Sequence, residues 1–233
     1  MLESFINQRY KNGLINEILF FHLSRRLNGT EDNVVGRNLL DLLTTENEFS
    51  LLLSKKGIKF TKGEQHIEVY HRGKLIDWNK CWSGNSSYMQ LRLGYFKGRE
   101  DFCFNGFAFK DQLYKTTYAR NLSGVPEFLG QLIECLERKD IGYYYIENSS
   151  YYCYEYKVPL DRVLFDDDEK LSGISKEKHI IKCVLQRLDS YRCGDVEYTC
   201  DHDNPILRLR DDDILEAEHF VSKEIITSEM LYK

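Results

Sequence analysis

Residues 143–158 read YYYIENSSYYCYEYKV, in which two aromatic runs stand on either side of a short Asn-Ser-Ser break. Aromatic and β-branched residues are enriched in strands, and a short polar break between two such runs is typical of a hairpin. The stretch therefore predicts two paired strands, Tyr143–Glu147 and Tyr151–Val158. Tyrosine is also enriched at protein interfaces, so we expect this hairpin to form sheet core or a partner surface.

The same composition predicts further strands on both sides of this hairpin, at Ile67–Tyr70, Phe102–Phe109, Ile206–Leu209 and Phe220–Ile226. Apolar residues at helical spacing predict helices from Pro126 to about Lys139 and from Lys176 to about Tyr191. Helices and strands interleave without a regular strand–helix alternation. The fold class that fits this order is α+β.

The first sixty residues have a helical pattern. Residues 14–27, LINEILFFHLSRRL, place apolar side chains along one helical stripe and end near two arginines that suit a helix C-terminus. A leucine-rich segment at 37–56 predicts two shorter helices, with Thr45 and Glu48 matching a capping box at the start of the second. This part of the chain is therefore expected to form a helical lobe.

Length and composition set the size of the fold. With 233 residues and 42% hydrophobic content, the chain is long enough for one sizeable core or a core with a small appendage. We therefore divide it into a helical N-terminal lobe, residues 1–62, and an α+β domain, residues 63–233. The seven cysteines are an odd number without a dense disulfide framework, which indicates a reducing, cytoplasmic compartment. We find no run of about 18 apolar residues and no signal-peptide pattern, so we expect no membrane contact.

The charge distribution bears on nucleic-acid binding. A net charge of −5 gives no overall basic surface for nucleic acid. Residues 92–115 are nevertheless locally basic and aromatic, a composition that can hold phosphates and stack bases. The sequence lacks the phosphate-loop, dinucleotide-binding, nucleophile-elbow and HExxH patterns, which excludes the commonest nucleotide-binding and hydrolase classes.

Two groups of residues have metal-binding chemistry. His179 and Cys183 share a helix face, and Cys193, Cys200 and His202 follow, but their spacing fits no compact zinc knuckle. We therefore interpret them as a helix-borne histidine with free cysteines and predict no metal.

Acidic residues near the C-terminus suggest a second possibility. The run Asp211–Asp213, with Asp201 and Asp203 nearby, could hold Mg²⁺, and Glu68 lies in a strand that resembles part of a nuclease core. The lysine that such nucleases carry two residues after the glutamate is replaced by Tyr70. Solvated acidic loops are the preferred interpretation.

Three separated segments form a more informative pattern. Residues 68–73, EVYHRG, end a strand in His and Arg beside a glycine. Residues 105–109, NGFAF, form an aromatic strand that is followed by Tyr118. Residues 216–221, EAEHFV, lead into the last strand with two carboxylates two residues apart.

In this order the segments resemble the ADP-ribosyltransferase superfamily over about residues 67–226. In that family an H-G or R-G strand end holds NAD, a G-x-[YF]-F strand and a following aromatic enclose the nicotinamide, and a late glutamate stabilises the oxocarbenium-like transition state. The resemblance implies a split pair of antiparallel sheets around an NAD cleft, with NAD as a substrate.

The resemblance also implies roles for single residues. Glu218 would stabilise the positive charge that develops on the ribose as nicotinamide leaves, and Glu216 would orient the acceptor. The residues implied to contact NAD are His71 or Arg72, Gly73, Gly106, Phe107 and Tyr118. Of these, Phe107 and Tyr118 would form the aromatic slot.

The resulting prediction is a mono-ADP-ribosyltransferase that transfers ADP-ribose from NAD to RNA, DNA or protein. By its resemblance to compact members of the superfamily, it would act as the toxin of a bacterial toxin–antitoxin or phage-defence module, with a neutralising protein partner. The alternative is a non-enzymatic interaction protein, such as an antitoxin, immunity or anti-defence factor, that binds a partner through the tyrosine-rich hairpin. A Mg²⁺-dependent nuclease is a third possibility.

Overall fold

The computed structural model describes residues 2–11, 13–80, 86–194 and 204–232. Its strands are β1 (Glu17–Leu27), β2 (Ile58–Lys62), β3 (Ile67–His71), β4 (Lys74–Leu75), β5 (Asn105–Phe107), β6 (Ser149–Pro159), β7 (Leu164–Phe165), β8 (Ile206–Arg208) and β9 (Phe220–Ile225). Its α-helices are α1 (Leu2–Arg9), α2 (Leu39–Thr44), α3 (Glu48–Lys55), α4 (Ser86–Arg92), α5 (Thr117–Leu122), α6 (Glu127–Cys135), α7 (Lys139–Glu147), α8 (Ile174–Cys193) and α9 (Ser228–Tyr232). The predicted mixture of helices and antiparallel strands is confirmed.

Two antiparallel sheets organise the chain. The larger has six strands in the order β7-β8-β5-β1-β6-β9, and the smaller has the order β2-β3-β4. The long pair β1–β6 forms the middle of the larger sheet, with eleven residues of each strand in register from Glu17 opposite Pro159 to Leu27 opposite Ser149. The specific split-sheet arrangement of ADP-ribosyltransferases stays a prediction.

The helix predicted at 14–27 is wrong, because residues 17–27 form β1. Alternate side chains of this strand are buried on opposite sheet faces, with Phe20 in one apolar cluster and Phe21 and Leu23 in another. A strand that is apolar on both faces produces a nearly continuous apolar run, which also satisfies a helical template. The first 62 residues contain β1 and β2 as well as helices, so the purely helical lobe is wrong. A domain boundary near residue 62 stays a prediction.

The hairpin predicted at 143–158 is also wrong in its first half. Residues 139–147 form α7, which buries Ile141 and Tyr145 four residues apart, while Tyr143 and Tyr144 face solvent. The second half is the strand β6, whose alternating burial matches its tyrosine pattern. Consecutive tyrosines are compatible with a strand and with the exposed side of a helix. The spacing of the buried residues distinguishes the two, and a spacing of four indicates a helix.

Several predicted elements are confirmed with small shifts. The leucine-rich segment forms α2 and α3, although the N-cap of α3 is Asn47, which forms a capping box with Ser50 in place of the predicted Thr45 and Glu48. Helices α6 and α8 and strands β3, β8 and β9 lie where the sequence predicts them, and β5 is shorter than predicted.

Three apolar clusters hold these elements together. The first packs the three-stranded sheet against α2, α3, α4, α6 and α7, and the other two cover opposite faces of the six-stranded sheet. Within the described ranges, no helix combines the length and apolar composition that crossing a membrane requires.

Candidate functional site

The first predicted NAD segment is a tight hairpin between β3 and β4. Arg72 and Gly73 have φ angles of 52° and 77°, as the two central residues of a hairpin turn with positive φ require. The glycine is therefore explained by the turn. His71, at the end of β3, lies with its Nε2 atom 3.4 Å from Nη1 of Arg138. Burial, followed by Arg72 and Arg138, lowers the pKa of His71, so the ring is neutral at neutral pH.

The second predicted segment lies in the centre of the six-stranded sheet. A Cβ atom on Gly106 would lie 2.5 Å from the ring of Phe20 and 2.7 Å from the carbonyl oxygen of Phe21, so only glycine fits where β5 packs on β1. Phe107 is buried in the core, and its ring centroid is 6.0 Å from that of Tyr118, which is half exposed. The structure therefore brings together two of the predicted nicotinamide contacts.

The predicted catalytic carboxylates lie in a 3₁₀ turn before β9. Glu216 and Glu218 are both exposed to solvent, and Glu216 lies with Oε2 3.6 Å from Nη1 of Arg162. They occupy the turn Ala217–His219 and its flank, in place of the strand position that the sequence suggests. An exposed carboxylate acts at high dielectric, where it stabilises a developing positive charge weakly.

The predicted NAD residues belong to three separate places. Strands β5 and β9 are separated by β1 and β6, so they lie about 14 Å apart across the sheet. The hairpin at His71 belongs to the other sheet. In the part of the chain that the structure describes, no hydrogen bond, ion pair or ring contact joins Glu218 to His71 or to Phe107. The assignment of these residues to one site stays a prediction.

The residues with metal-binding chemistry have partners within the fold. Asp211 accepts a hydrogen bond of 2.7 Å from the backbone N–H of Phe102, and Asp213 pairs with Arg162. Glu68 accepts from the hydroxyl of Tyr70 at 2.9 Å. Nε2 of His179 lies 3.4 Å from a carboxylate oxygen of Asp167. The predicted members Cys200, Asp201, His202 and Asp203 lie outside the described residues.

A cavity of about 250 Å³ lies between the C-terminal end of β1 and the helical layer. β1 pairs with β6 over its whole length, but on its other side it pairs with β5 only at Phe21. Because β5 begins at Asn105, residues 24–27 extend past its end, and residues 22–27 line the cavity together with the N-terminal residues of α3 and α6. The cavity is a gap in the sheet that the helices only partly fill.

Four arginines line this cavity, against two glutamates. The arginines are Arg25, Arg26, Arg37 and Arg92, and the glutamates are Glu48 and Glu127. Each glutamate is the first residue of its helix, α3 or α6, where the positive end of the helix dipole already favours a negative charge. The lining residues themselves carry two more positive than negative charges, and Asp41 and Asp101, just outside the lining, pair with two of the arginines.

Arg25 is fully engaged within the fold. Its guanidinium donates to the carbonyl oxygens of Ser123 at 2.7 Å, Ile146 at 3.2 Å and Ser149 at 2.6 Å, and Nε donates to the Ser149 hydroxyl at 2.9 Å. It has no carboxylate partner among the described residues. Burial lowers its pKa below the usual arginine value. Arg25 therefore ties β1 to the start of β6 and to the segment after α5.

The other three arginines are less completely engaged. The guanidinium of Arg26 lies 5.0 Å from the centroid of the Tyr154 ring and, within the described ranges, pairs with no carboxylate. Arg37 pairs with Asp41 at 2.5 Å, and Arg92 pairs with Asp101. These contacts orient the side chains without using every donor.

The Nε atoms of Arg26, Arg37 and Arg92 are all buried and have no hydrogen-bond acceptor among the described residues. An unsatisfied buried donor costs about 1–3 kcal/mol, and more when it is charged. Buried polar groups in native proteins are nearly always paired, and these three atoms belong to arginines that line the cavity, although Nε of Arg208, outside it, also has no acceptor among the described residues. A ligand that accepts several hydrogen bonds and carries negative charge complements this wall.

His22 and Cys103 also line the cavity, as do Ser24 and Asn105. His22 lies with Nδ1 2.7 Å from the carbonyl oxygen of Asn105. Burial and the nearby Arg26 lower the pKa of His22 to about 3, so the ring is neutral at neutral pH. Burial raises the pKa of Cys103 to about 11, so its thiol keeps its proton and is a weak nucleophile. The cavity thus offers binding groups without an activated nucleophile.

The sequence contains only partial signals for this cavity. The adjacent Arg25 and Arg26 were assigned to the end of a helix, whereas in a strand they lie on opposite faces of the sheet. Arg92 begins the locally basic stretch at residues 92–115, and Arg37 begins the leucine-rich segment that predicts two helices. No local pattern joins these residues, because they meet only through the tertiary fold.

No protein-family model matches this chain, and searches of curated proteins and of solved structures return no match. The functional interpretation therefore depends on the side chains of this chain alone.

Proposed function

We propose that the protein binds a small phosphate-bearing ligand in the arginine-lined cavity. The observation that carries this proposal is the set of four arginines that line one cavity, of which Arg26 has neither a carboxylate nor a backbone carbonyl partner among the described residues. Guanidinium groups suit phosphate because their planar forks donate paired hydrogen bonds to its oxygens. A bound phosphate would accept hydrogen bonds from these guanidinium groups and pair with the charge of Arg26.

The remaining wall limits the size and character of the ligand. A volume of about 250 Å³ lies just below the roughly 300–1,000 Å³ of typical small-molecule sites. Much of the lining is apolar, including Leu39, Phe49 and Leu129. The proposed ligand therefore has a phosphate group and a compact organic part that packs against carbon atoms.

Calorimetric titration with inorganic phosphate and methyl phosphate tests this proposal. We expect a Kd of about 1 mM or tighter at low ionic strength, weakening as salt is added. Arg26→Gln removes the arginine that, among the described residues, is held neither by a carboxylate nor by backbone carbonyls, and we expect it to weaken phosphate binding about 10-fold, because a charge-assisted hydrogen bond contributes about 1.5–3 kcal/mol.

The matched control is Arg192→Gln, since Arg192 is an exposed arginine paired with Asp189 in the last turn of α8. It should bind phosphate as the wild-type protein does. Binding also stabilises the folded state by mass action, so phosphate should raise the melting temperature of the wild-type protein. Absence of both calorimetric heat and a melting shift at 10-fold higher phosphate than the expected Kd would contradict the proposal.

A mono-ADP-ribosyltransferase activity remains a second proposal, and one observation favours it. Phe107 and Tyr118, the two residues of the predicted nicotinamide slot, are neighbours in the fold, with 6.0 Å between their ring centroids. The proposed acceptor is RNA, DNA or protein, and the proposed setting is a bacterial toxin or phage-defence module. Incubation with labelled NAD measures the release of nicotinamide. Release that is lost in Glu218→Gln would support the activity, and absence of both NAD binding and release would contradict it.

The interaction-protein alternative now concerns a helix surface instead of a hairpin. Tyr143 is 69% exposed and Tyr144 is 40% exposed on α7. Loss of a copurified partner on substitution of Tyr143 by serine, with unchanged stability, would favour this alternative.

A further inference from the structure

His22 has a defined tautomer in the arginine-lined cavity. Its Nδ1 atom lies 2.7 Å from the carbonyl oxygen of Asn105, and a carbonyl oxygen accepts hydrogen bonds but cannot donate them. The proton of the neutral ring is therefore on Nδ1, and Nε2 has a free lone pair. Nε2 can only accept a hydrogen bond.

The surrounding residues fix this ring. The imidazole packs on the ring of Phe104, with 4.2 Å between the centroids. His22 lies in the part of β1 that is paired with β6, opposite Tyr154. Burial and Arg26 keep the ring neutral, so the acceptor lone pair persists at physiological pH. The imidazole is thus a preorganised acceptor on a wall that also carries four arginine donors.

The carboxylates of the cavity are less available as acceptors. Glu48 already accepts a hydrogen bond of 3.0 Å from the side chain of Asn33. Glu127 interacts with Tyr88, whose pKa is raised to about 12 by burial and, more weakly, by nearby carboxylates that include Glu127. A phosphate group would not approach Nε2 favourably when fully ionised, because it has no proton to donate to the lone pair.

We propose that the ligand of this cavity is a phosphate ester whose organic part carries a hydroxyl group that donates to Nε2 of His22, the chemistry of a sugar phosphate. The inference rests on the proposed phosphate binding, because the arginines would hold the phosphate end. The C–H groups of a sugar ring suit the apolar part of the wall, and the size of the cavity fits a monosaccharide better than a dinucleotide.

Calorimetry with three probes tests the inference on the full chain: inorganic phosphate, methyl phosphate and ribose 5-phosphate. Methyl phosphate has an ester group but no hydroxyl on its organic part, so it isolates the contribution of the arginines. We expect ribose 5-phosphate to bind the wild-type protein about 3–10-fold more tightly than methyl phosphate, the effect of one additional hydrogen bond.

Two variants assign this advantage to His22. His22→Phe keeps a planar ring but removes the lone pair, so ribose 5-phosphate should lose its advantage while methyl phosphate binds as before. His22→Gln supplies an amide N–H for the Asn105 carbonyl and an oxygen acceptor, so it should keep part of the advantage. Circular dichroism confirms that each variant is folded.

The outcomes separate the two proposals. If neither phosphate nor either ester binds the wild-type protein, the proposed function fails and this inference fails with it. If the simple phosphates bind but ribose 5-phosphate binds no better, only the hydroxyl inference is overturned. An advantage that persists undiminished in His22→Phe also overturns it, because the hydroxyl group would then have another acceptor.

Discussion

The arginine-lined cavity and the cluster around Arg162 both place guanidinium groups beside the six-stranded sheet, but they differ in what satisfies those groups. Arg162 donates to Asp213 through Nη2 at 2.7 Å and Nε at 3.3 Å, and to the carbonyl oxygen of Ile214 at 2.8 Å. Its Nη1 lies 2.9 Å from His219. Among the arginines that line the cavity, Arg26 has no carboxylate partner in the described part of the chain, and its guanidinium lies 5.0 Å from the centroid of the Tyr154 ring.

This difference distinguishes an arginine with a structural role from the arginines that we propose bind a ligand. The guanidinium of Arg162 finds its partners within the fold. Asp213 and Glu216 supply negative charge, and the carbonyl oxygen of Ile214 accepts a further hydrogen bond. Glu216 lies 3.6 Å from Arg162, and its predicted catalytic role stays a prediction. Within the cavity, Arg25 resembles Arg162 because its donors are used by the fold. Arg26, which follows it in the sequence, pairs with no carboxylate among the described residues, and we propose that its guanidinium binds the ligand.

The largest effect is expected from Arg25→Met. The substitution removes donors to three backbone carbonyl oxygens, on Ser123, Ile146 and Ser149, and leaves them in a partly buried setting. We expect the free energy of unfolding to fall by about 3 kcal/mol, measured by urea denaturation. Arg192→Met, at an exposed position, should change it by less than about 0.5 kcal/mol. Equal stability of the two variants would remove the structural role given to Arg25.

The second-largest effect is a fall in the free energy of unfolding at acid pH, which we assign to His22. The pKa of His22 is about 3 in the folded protein, against 6.5 as its ordinary value. Between these values the unfolded chain binds a proton that the folded protein does not. The stability contributed by the neutral ring is therefore complete above about pH 6.5 and falls progressively towards pH 3. At pH 5 the loss is roughly 2 kcal/mol relative to pH 7.

Denaturation of wild-type protein and His22→Gln between pH 5 and pH 7 measures this loss, which should be smaller in the variant. Carboxylates with lowered pKa values, such as Glu224, lose their contribution at more acidic pH and interfere little in this window. The pKa of His71 is also lowered, so His71→Gln is the matched control and should reduce the loss by less. Identical pH dependence in wild-type protein and His22→Gln would show that His22 is not held neutral by the fold.

The sequence predicts correctly those elements in which the spacing of apolar residues fits either a helix or a strand, but not both. Helices α6 and α8 each bury one face, and β3 alternates cleanly between buried and half-buried positions. β1 was assigned wrongly because both of its faces are covered, which removes the alternation that identifies a strand. The half of 143–158 that became α7 has an exposed tyrosine side, and residue type alone does not distinguish that side from a strand.

The arginine-lined cavity could not be predicted from the sequence for a different reason. Arg26, Arg37 and Arg92 come from β1, the segment before α2 and the end of α4, and no spacing rule relates them. Whether an arginine has a free donor depends on the acceptors that the fold brings near it. At Gly73 and Gly106, by contrast, the local backbone explains why glycine is needed. Gly73 lies in a turn with positive φ, and Gly106 lies where β5 packs closely on β1.

The smallest effect is expected from Arg162→Met, and it tests the comparison most directly. The side chain is about one quarter exposed, so water can replace part of the lost pairing and we expect a stability loss of only about 1 kcal/mol. Because the donors of Arg162 are satisfied internally, phosphate affinity measured by calorimetry should be unchanged. Arg26→Gln should show the opposite pattern, with weaker phosphate binding and little loss of stability. If Arg162→Met weakens phosphate binding as much as Arg26→Gln does, the binding reflects overall positive charge, and the distinction between satisfied and unsatisfied arginines no longer identifies the site.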